Sequence, residues 1–226
     1  MGRGFETNLS QCNFAAQCLR TIAQWSRTHR QHHPLLIILQ PNARDTLEPW
    51  MARVEALISD TFQRWQIITP GEVTAGYPDL RTALAERGWP AIELSRGRTM
   101  FVLNDRGRTR DAYLAGRFLD PDEPRLLFTV ADSPEVPYAG IFSFPDVTAA
   151  NQAQIRALVE QGYLVRAITN TEDAVQRAID NGVHFLSTRY PDDLLPPDRL
   201  GGFPSGCNPV TTDETCDPSM IGFPPQ

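Results

Sequence analysis

The stretch Pro34-Leu35-Leu36-Ile37-Ile38-Leu39-Gln40-Pro41-Asn42 decides the fold. Five consecutive apolar side chains leave no polar alternate position, so a strand built from them is buried on both faces. Such strands belong to parallel sheets covered by helices. The polar turn Gln40-Pro41-Asn42 ends the run. Before it, Asn13 to Thr28 reads as an amphipathic helix with Phe14, Cys18, Ile22 and Trp25 at helical spacing. After it, Asp45 is placed to cap a helix to about Gln63, with Trp50, Val54, Leu57 and Ile58 inward.

The alternation continues along the chain. Residues 67–98 are looser, with a short helix from Tyr77 to Arg87 stopped by Gly88. Further buried strands are expected at Thr99–Leu103, Leu126–Val130, Tyr163–Ala167 and His184–Thr188. Helices from about Asn151 to Gln161 and from Thr171 to Asn181 each close on a glycine, Gly162 and Gly182. Five apolar strands alternating with helices give an α/β domain. The pattern fits a small open doubly wound sheet or about five of the eight strands of a TIM-type (β/α) barrel. Residues 1–190 are read as that unit, and 191–226, rich in Pro and Gly, as an irregular extension.

Composition excludes several functions. The 226 residues carry a formal charge of −6, which argues against a nucleic-acid surface. All 21 basic residues are arginine, so chemistry that needs a lysine Schiff base or a P-loop lysine is ruled out. No apolar run reaches the roughly 20 residues of a transmembrane helix. The first residues lack the apolar segment of a secretory signal. Yet Cys12/Cys18 and Cys207/Cys216 form two local pairs, which suggests disulfides and an oxidising compartment over a zinc site.

In either architecture, ligands bind at the carboxyl ends of the strands. The residues there are Gln40, Asn42, Asn104, Asp105, Thr129, Asp132, Arg166, Thr169, Thr188 and Tyr190. They are mostly amides and hydroxyls, with no histidine. His29, His32, His33 and His184 fall before strands, at the opposite end.

Several stretches, taken in order, resemble the bacterial calcium-dependent phosphoinositide-specific phospholipase C family. They are Cys18-Leu19 with Trp25-Ser26, the segment 34–42, Gly88-Trp89-Pro90, and Ser95-Arg96-Gly97-Arg98 leading into Phe101-Val102-Leu103-Asn104. The similarity continues through Phe128-Thr129-Val130-Ala131-Asp132, Gly162-Tyr163-Leu164-Val165-Arg166, Phe185 to Pro191, and Cys207-Asn208-Pro209-Val210.

The resemblance implies a TIM-type barrel and cleavage of phosphatidylinositol-type lipids. In that reaction the inositol 2-hydroxyl attacks the phosphodiester, two histidines act as base and acid, and Ca²⁺ stabilises charge. It implies a secreted or periplasmic protein with peripheral membrane contact. It also implies that this chain begins after the third strand, so both histidines and most calcium ligands have no counterpart here. The chain alone is therefore expected to be inactive. The remaining calcium ligand aligns with neutral Gln40, and a lysine two residues on aligns with Asn42. Arg166 is the expected headgroup or phosphate contact, because its fork suits that anion. Asn104, Asp132 and Tyr190 are further candidates on the headgroup side. The alternative function is a non-catalytic headgroup- or protein-binding relative.

Overall fold

The computed structural model describes residues 14–41, 47–115 and 125–194. Asn42, Cys12, Cys207, Cys216 and residues 195–226 lie outside them. Within them the chain alternates between helices and strands. It runs α1 (Ala15–Thr28), β1 (Leu35–Leu39), α2 (Leu47–Thr61), β2 (Ile67–Ile68), α3 (Pro70–Thr74), α4 (Leu80–Glu86) and α5 (Ile92–Ser95). It continues with β3 (Thr99–Leu103), α6 (Arg108–Leu114), β4 (Leu127–Thr129) and β5 (Ile141–Phe144). The last elements are α7 (Gln152–Glu160), β6 (Leu164–Ile168), α8 (Glu172–Asp180), β7 (Phe185–Ser187) and α9 (Pro191–Leu194).

Every strand pairing is parallel, as continuous apolar strands require. β3 pairs along its whole length with β1, from Leu35↔Thr99 to Leu39↔Leu103. It also pairs with β2 at Thr99 and Met100, and with β4 from Phe101 to Leu103. One parallel bridge, Val130↔Ile141, carries the sheet on to β5, and β6 and β7 follow. The described strands do not close into a barrel: β1 pairs only with β3, and β7 only with β6.

Among the described residues seven strands replace the five expected. β2 is two residues long, too short for a hydrophobic pattern to show. β5 was hidden because Ile141–Phe144 is a short run between Pro137 and Pro145, which reads as loop. The expected helix inside 77–87 is confined to α4, whose cap is Asp79 accepting from the Thr82 N–H at 2.7 Å. Residues 191–194 form one helical turn instead of irregular chain.

The helices pack as two cores. Leu19, Ala23, Met51, Ile58, Phe62 and Tyr113 meet Phe101, Leu103 and Leu127 in one. In the other, Val73, Leu80 and Leu84 meet Met100, Val102, Phe128 and Ile141, and the cluster extends to Val165, Ala167, Ile155, Val159 and Ala178. The buried stripe of α1 is Leu19, Ala23 and Ser26, not the expected Phe14 and Trp25, which are exposed. The reason is polar: Ser26 Oγ donates to the Gly97 carbonyl at 3.2 Å, which turns α1 by its serine. Gly140 marks a close approach. A Cβ there would sit 2.8 Å from Leu80 Cδ2, so a larger residue at the start of β5 would have to push the Leu80 side chain of α4 aside.

Candidate functional site

Strand alternation and register place Gln40, Asn104, Asp132 and Arg166 on one face. Register aligns Ile38 with Val102, Val102 with Phe128, and Ser143 with Arg166. Gln40, Asn104 and Asp132 follow at the carboxyl ends of β1, β3 and β4, two residues past Ile38, Val102 and Val130. The structure joins two of them directly: Asn104 Nδ2 donates to Gln40 Oε1 at 3.4 Å. The Asn104 backbone N–H is held by the Leu39 carbonyl at 2.8 Å.

Arg166 lies mid-strand in β6, partly buried. Its Nε donates to Ser187 Oγ at 2.9 Å and an Nη to Ser143 Oγ at 3.1 Å. Burial pulls the guanidinium's pKa down from its ordinary value, because the charge has lost water. Among the described residues no carboxylate lies within ion-pair distance of Arg166. The rim salt bridge that would explain such an arginine structurally is absent from the described residues, and three of its five N–H donors have no partner among their hydrogen bonds. The planar fork of a guanidinium matches the geometry of a carboxylate or phosphate.

Asp132 is differently placed. It accepts from Arg110, and its other oxygen lies 3.5 Å from Arg106 Nε. It is therefore an arginine partner in this structure. Asp105 is equally engaged, since its Oδ2 accepts the N–H groups of Gly107 and Arg110 at 3.0 Å and holds the start of α6. Tyr190 is 53% exposed, and its phenol makes no hydrogen bond among the described residues. Its N–H donates to Thr188 Oγ1 at 3.0 Å. Thr129 and Thr169 are buried with hydroxyls that have no hydrogen-bond partner among the described residues.

Sequence reasoning missed Ser143, Ser187, Arg106 and Arg110. A signal existed for the serines: each interrupts an otherwise apolar strand, Ile-Phe-Ser-Phe and Phe-Leu-Ser. None existed for the arginines, which lie among others in a loop and on α6.

All four histidines precede strands, so none is at this edge. His29 and His32 stack on Trp25, with ring centroids 4.7 and 5.0 Å away. With Thr28, Arg30 and Gln31 they line an open pocket of about 410 Å³ at the amino-terminal end of the sheet. His184 Nδ1 accepts from the Val165 N–H at 3.2 Å.

The donor set does not suit calcium, which takes six to eight oxygens and favours charged carboxylates. Among the described residues no three His, Cys, Asp or Glu side chains gather around one point. Asp105 and Asp132 are already committed to N–H donors, and Gln40 brings only a neutral oxygen shared with Asn104.

Two solved structures resemble this chain. A Ca²⁺-dependent phosphatidylinositol-specific phospholipase C from Streptomyces antibioticus superposes with a TM-score of 0.63 at 18% identity, over 83% of this chain and 74% of that one. A calcium-dependent phosphoinositol-specific phospholipase C from the Gram-negative Pseudomonas sp gives 0.62 at 16% identity, over 78% of this chain and 65% of that one. At these identities the likeness is one of fold. No curated protein sequence matches the chain. The family model for "Phosphoinositide phospholipase C, Ca2+-dependent" matches residues 6–193, so the chain belongs to the Ca²⁺-dependent phosphoinositide phospholipase C family.

Proposed function

We propose that this chain supplies the headgroup-binding, carboxyl-terminal part of a Ca²⁺-dependent phosphodiesterase acting on phosphatidylinositol-type lipids. One observation carries the reading: the partly buried Arg166, held by Ser143 and Ser187, has no carboxylate partner among the described residues. The ligand is the anionic headgroup at a lipid surface, with Asn104 and Gln40 beside it on the same face. No helix of the described residues is long and apolar enough to cross a membrane. In this reading the sheet is part of a TIM-type barrel, and further strands pair with the open edges of β1 and β7. The Cys12/Cys18 and Cys207/Cys216 disulfides and an exported location belong to the same proposal.

The chain by itself binds but does not turn over. All its histidines lie at the far end of the sheet, so the edge has no imidazole to move a proton. The committed state of Asp105 and Asp132 also favours the second reading, a non-catalytic headgroup-binding relative. ³¹P NMR of phosphatidylinositol vesicles with this chain and Ca²⁺ tests the first statement. No inositol phosphate signal is expected, and its appearance would refute the claim of inactivity.

A further inference from the structure

Arg106 lies three residues past β3, in the turn entering α6, and is 49% exposed. Its guanidinium donates to the backbone carbonyl of Ser143, the residue whose hydroxyl Arg166 holds. Ser143 is buried, so two guanidiniums from separate elements converge on one fixed anchor. Like charges brought together in this way need an anion. Asp132 supplies it, with one oxygen taken by Arg110 and the other 3.5 Å from Arg106. Arg110 also binds Asp111 at 2.9 Å and so keeps a partner if Asp132 turns away. Arg106 has no second carboxylate among the described residues. Asp132 is half exposed, so its carboxylate is open to solvent.

We propose that Arg106 is the second arm of a phosphate site centred on Ser143, and that Asp132 stands in for the phosphate until a phosphate monoester displaces it. The proposal rests on reading Arg166 as the headgroup contact. A monoester carries close to two negative charges at neutral pH, which suits two guanidinium arms.

The test is calorimetric titration of the 226-residue chain in EDTA with inorganic phosphate and with myo-inositol 1-phosphate. Arg106→Gln weakens both probes by on the order of tenfold, the loss expected for one charged hydrogen-bonding arm. Arg106→Lys recovers part of that loss. Asp132→Asn, which removes the competing charge at nearly unchanged size, tightens binding severalfold. Melting curves establish that each variant is folded, and if Arg106→Gln is not, Asp132→Asn decides alone. Unchanged affinity in Arg106→Gln, weaker binding in Asp132→Asn, or an effect confined to the inositol probe overturns the inference. In all three cases a wild type that binds and an Arg166→Gln that does not leave the headgroup reading standing. Wild type that binds neither probe defeats that reading itself.

Discussion

Truncating Arg166 to alanine removes two N–H groups anchored on Ser143 and Ser187 together with the donors available to a ligand. A hydrogen bond to a charged group contributes about 1.5–3 kcal/mol, and the fork offers an anion at least one such bond. Arg166→Ala therefore weakens binding of myo-inositol 1-phosphate by roughly 10- to 150-fold, since about 1.4 kcal/mol is tenfold. Arg166→Lys keeps the charge but loses the planar fork, so it falls between the two, about tenfold below wild type. Stability moves the other way. A partly buried guanidinium without a carboxylate is a cost to folding, so Arg166→Met leaves the melting temperature unchanged or raises it. The assay pair is calorimetric titration and differential scanning calorimetry. Equal affinity in wild type and Arg166→Ala, or a marked loss of stability in Arg166→Met, would refute the reasoning, because Arg166 would then be structural.

Other residues give independent checks. Tyr113 is buried; its hydroxyl donates to Glu55 at 2.7 Å and accepts the Leu127 N–H at 3.0 Å. Tyr113→Phe strands that N–H and costs about 1–3 kcal/mol, or roughly 2–12 °C in melting temperature. Burial, reinforced by Glu55, raises the Tyr113 pKa well above 10.0, so the folded state resists ionisation. Stability should then fall as pH rises past the unfolded tyrosine value of 10.0, and Tyr113→Phe should lose less over that range, as urea titrations at successive pH values would reveal. Gly140→Ala forces its new methyl against Leu80 and destabilises by about 1–3 kcal/mol, read from the urea midpoint. Gln40→Glu leaves calorimetric Ca²⁺ binding no stronger than in wild type, because one added carboxylate beside an Asp105 held by the Gly107 and Arg110 N–H groups falls short of a calcium ligand set. In native protein from its source, iodoacetamide labels none of the four cysteines before reduction; early labelling contradicts the disulfide proposal.

The α/β class was legible because burying a parallel strand on both faces needs an unbroken apolar run, and Leu35–Leu39 and Thr99–Leu103 are such runs. Ile141–Phe144 escaped because its flanking prolines speak locally while its pairing with β6 is a tertiary fact. The orientation of α1 escaped for a similar reason: the Ser26–Gly97 bond on its buried face spans 71 residues, so no local pattern shows it. At the site, the strand-end rule put Gln40, Asn104 and Asp132 just past the ends of β1, β3 and β4, since it follows from topology alone, whereas Arg166 lies mid-strand in β6. It could not tell that Asp132 faces arginines, because Arg106 and Arg110 reach it from another loop and helix. Nor could it bring Ser143 and Ser187 to Arg166, which takes the register of three strands.

The central claim is that the carboxyl edge of this sheet binds an anionic inositol headgroup. Backbone amide NMR of the ¹⁵N-labelled chain, titrated with myo-inositol 1-phosphate, tests it most directly. Saturable shifts are expected at Asn104, Arg106, Ser143, Arg166 and Ser187, with the amides of His29 to His32 unmoved. Shifts confined to the Trp25–His32 pocket, or no shifts at the strand ends at saturating ligand, would contradict it.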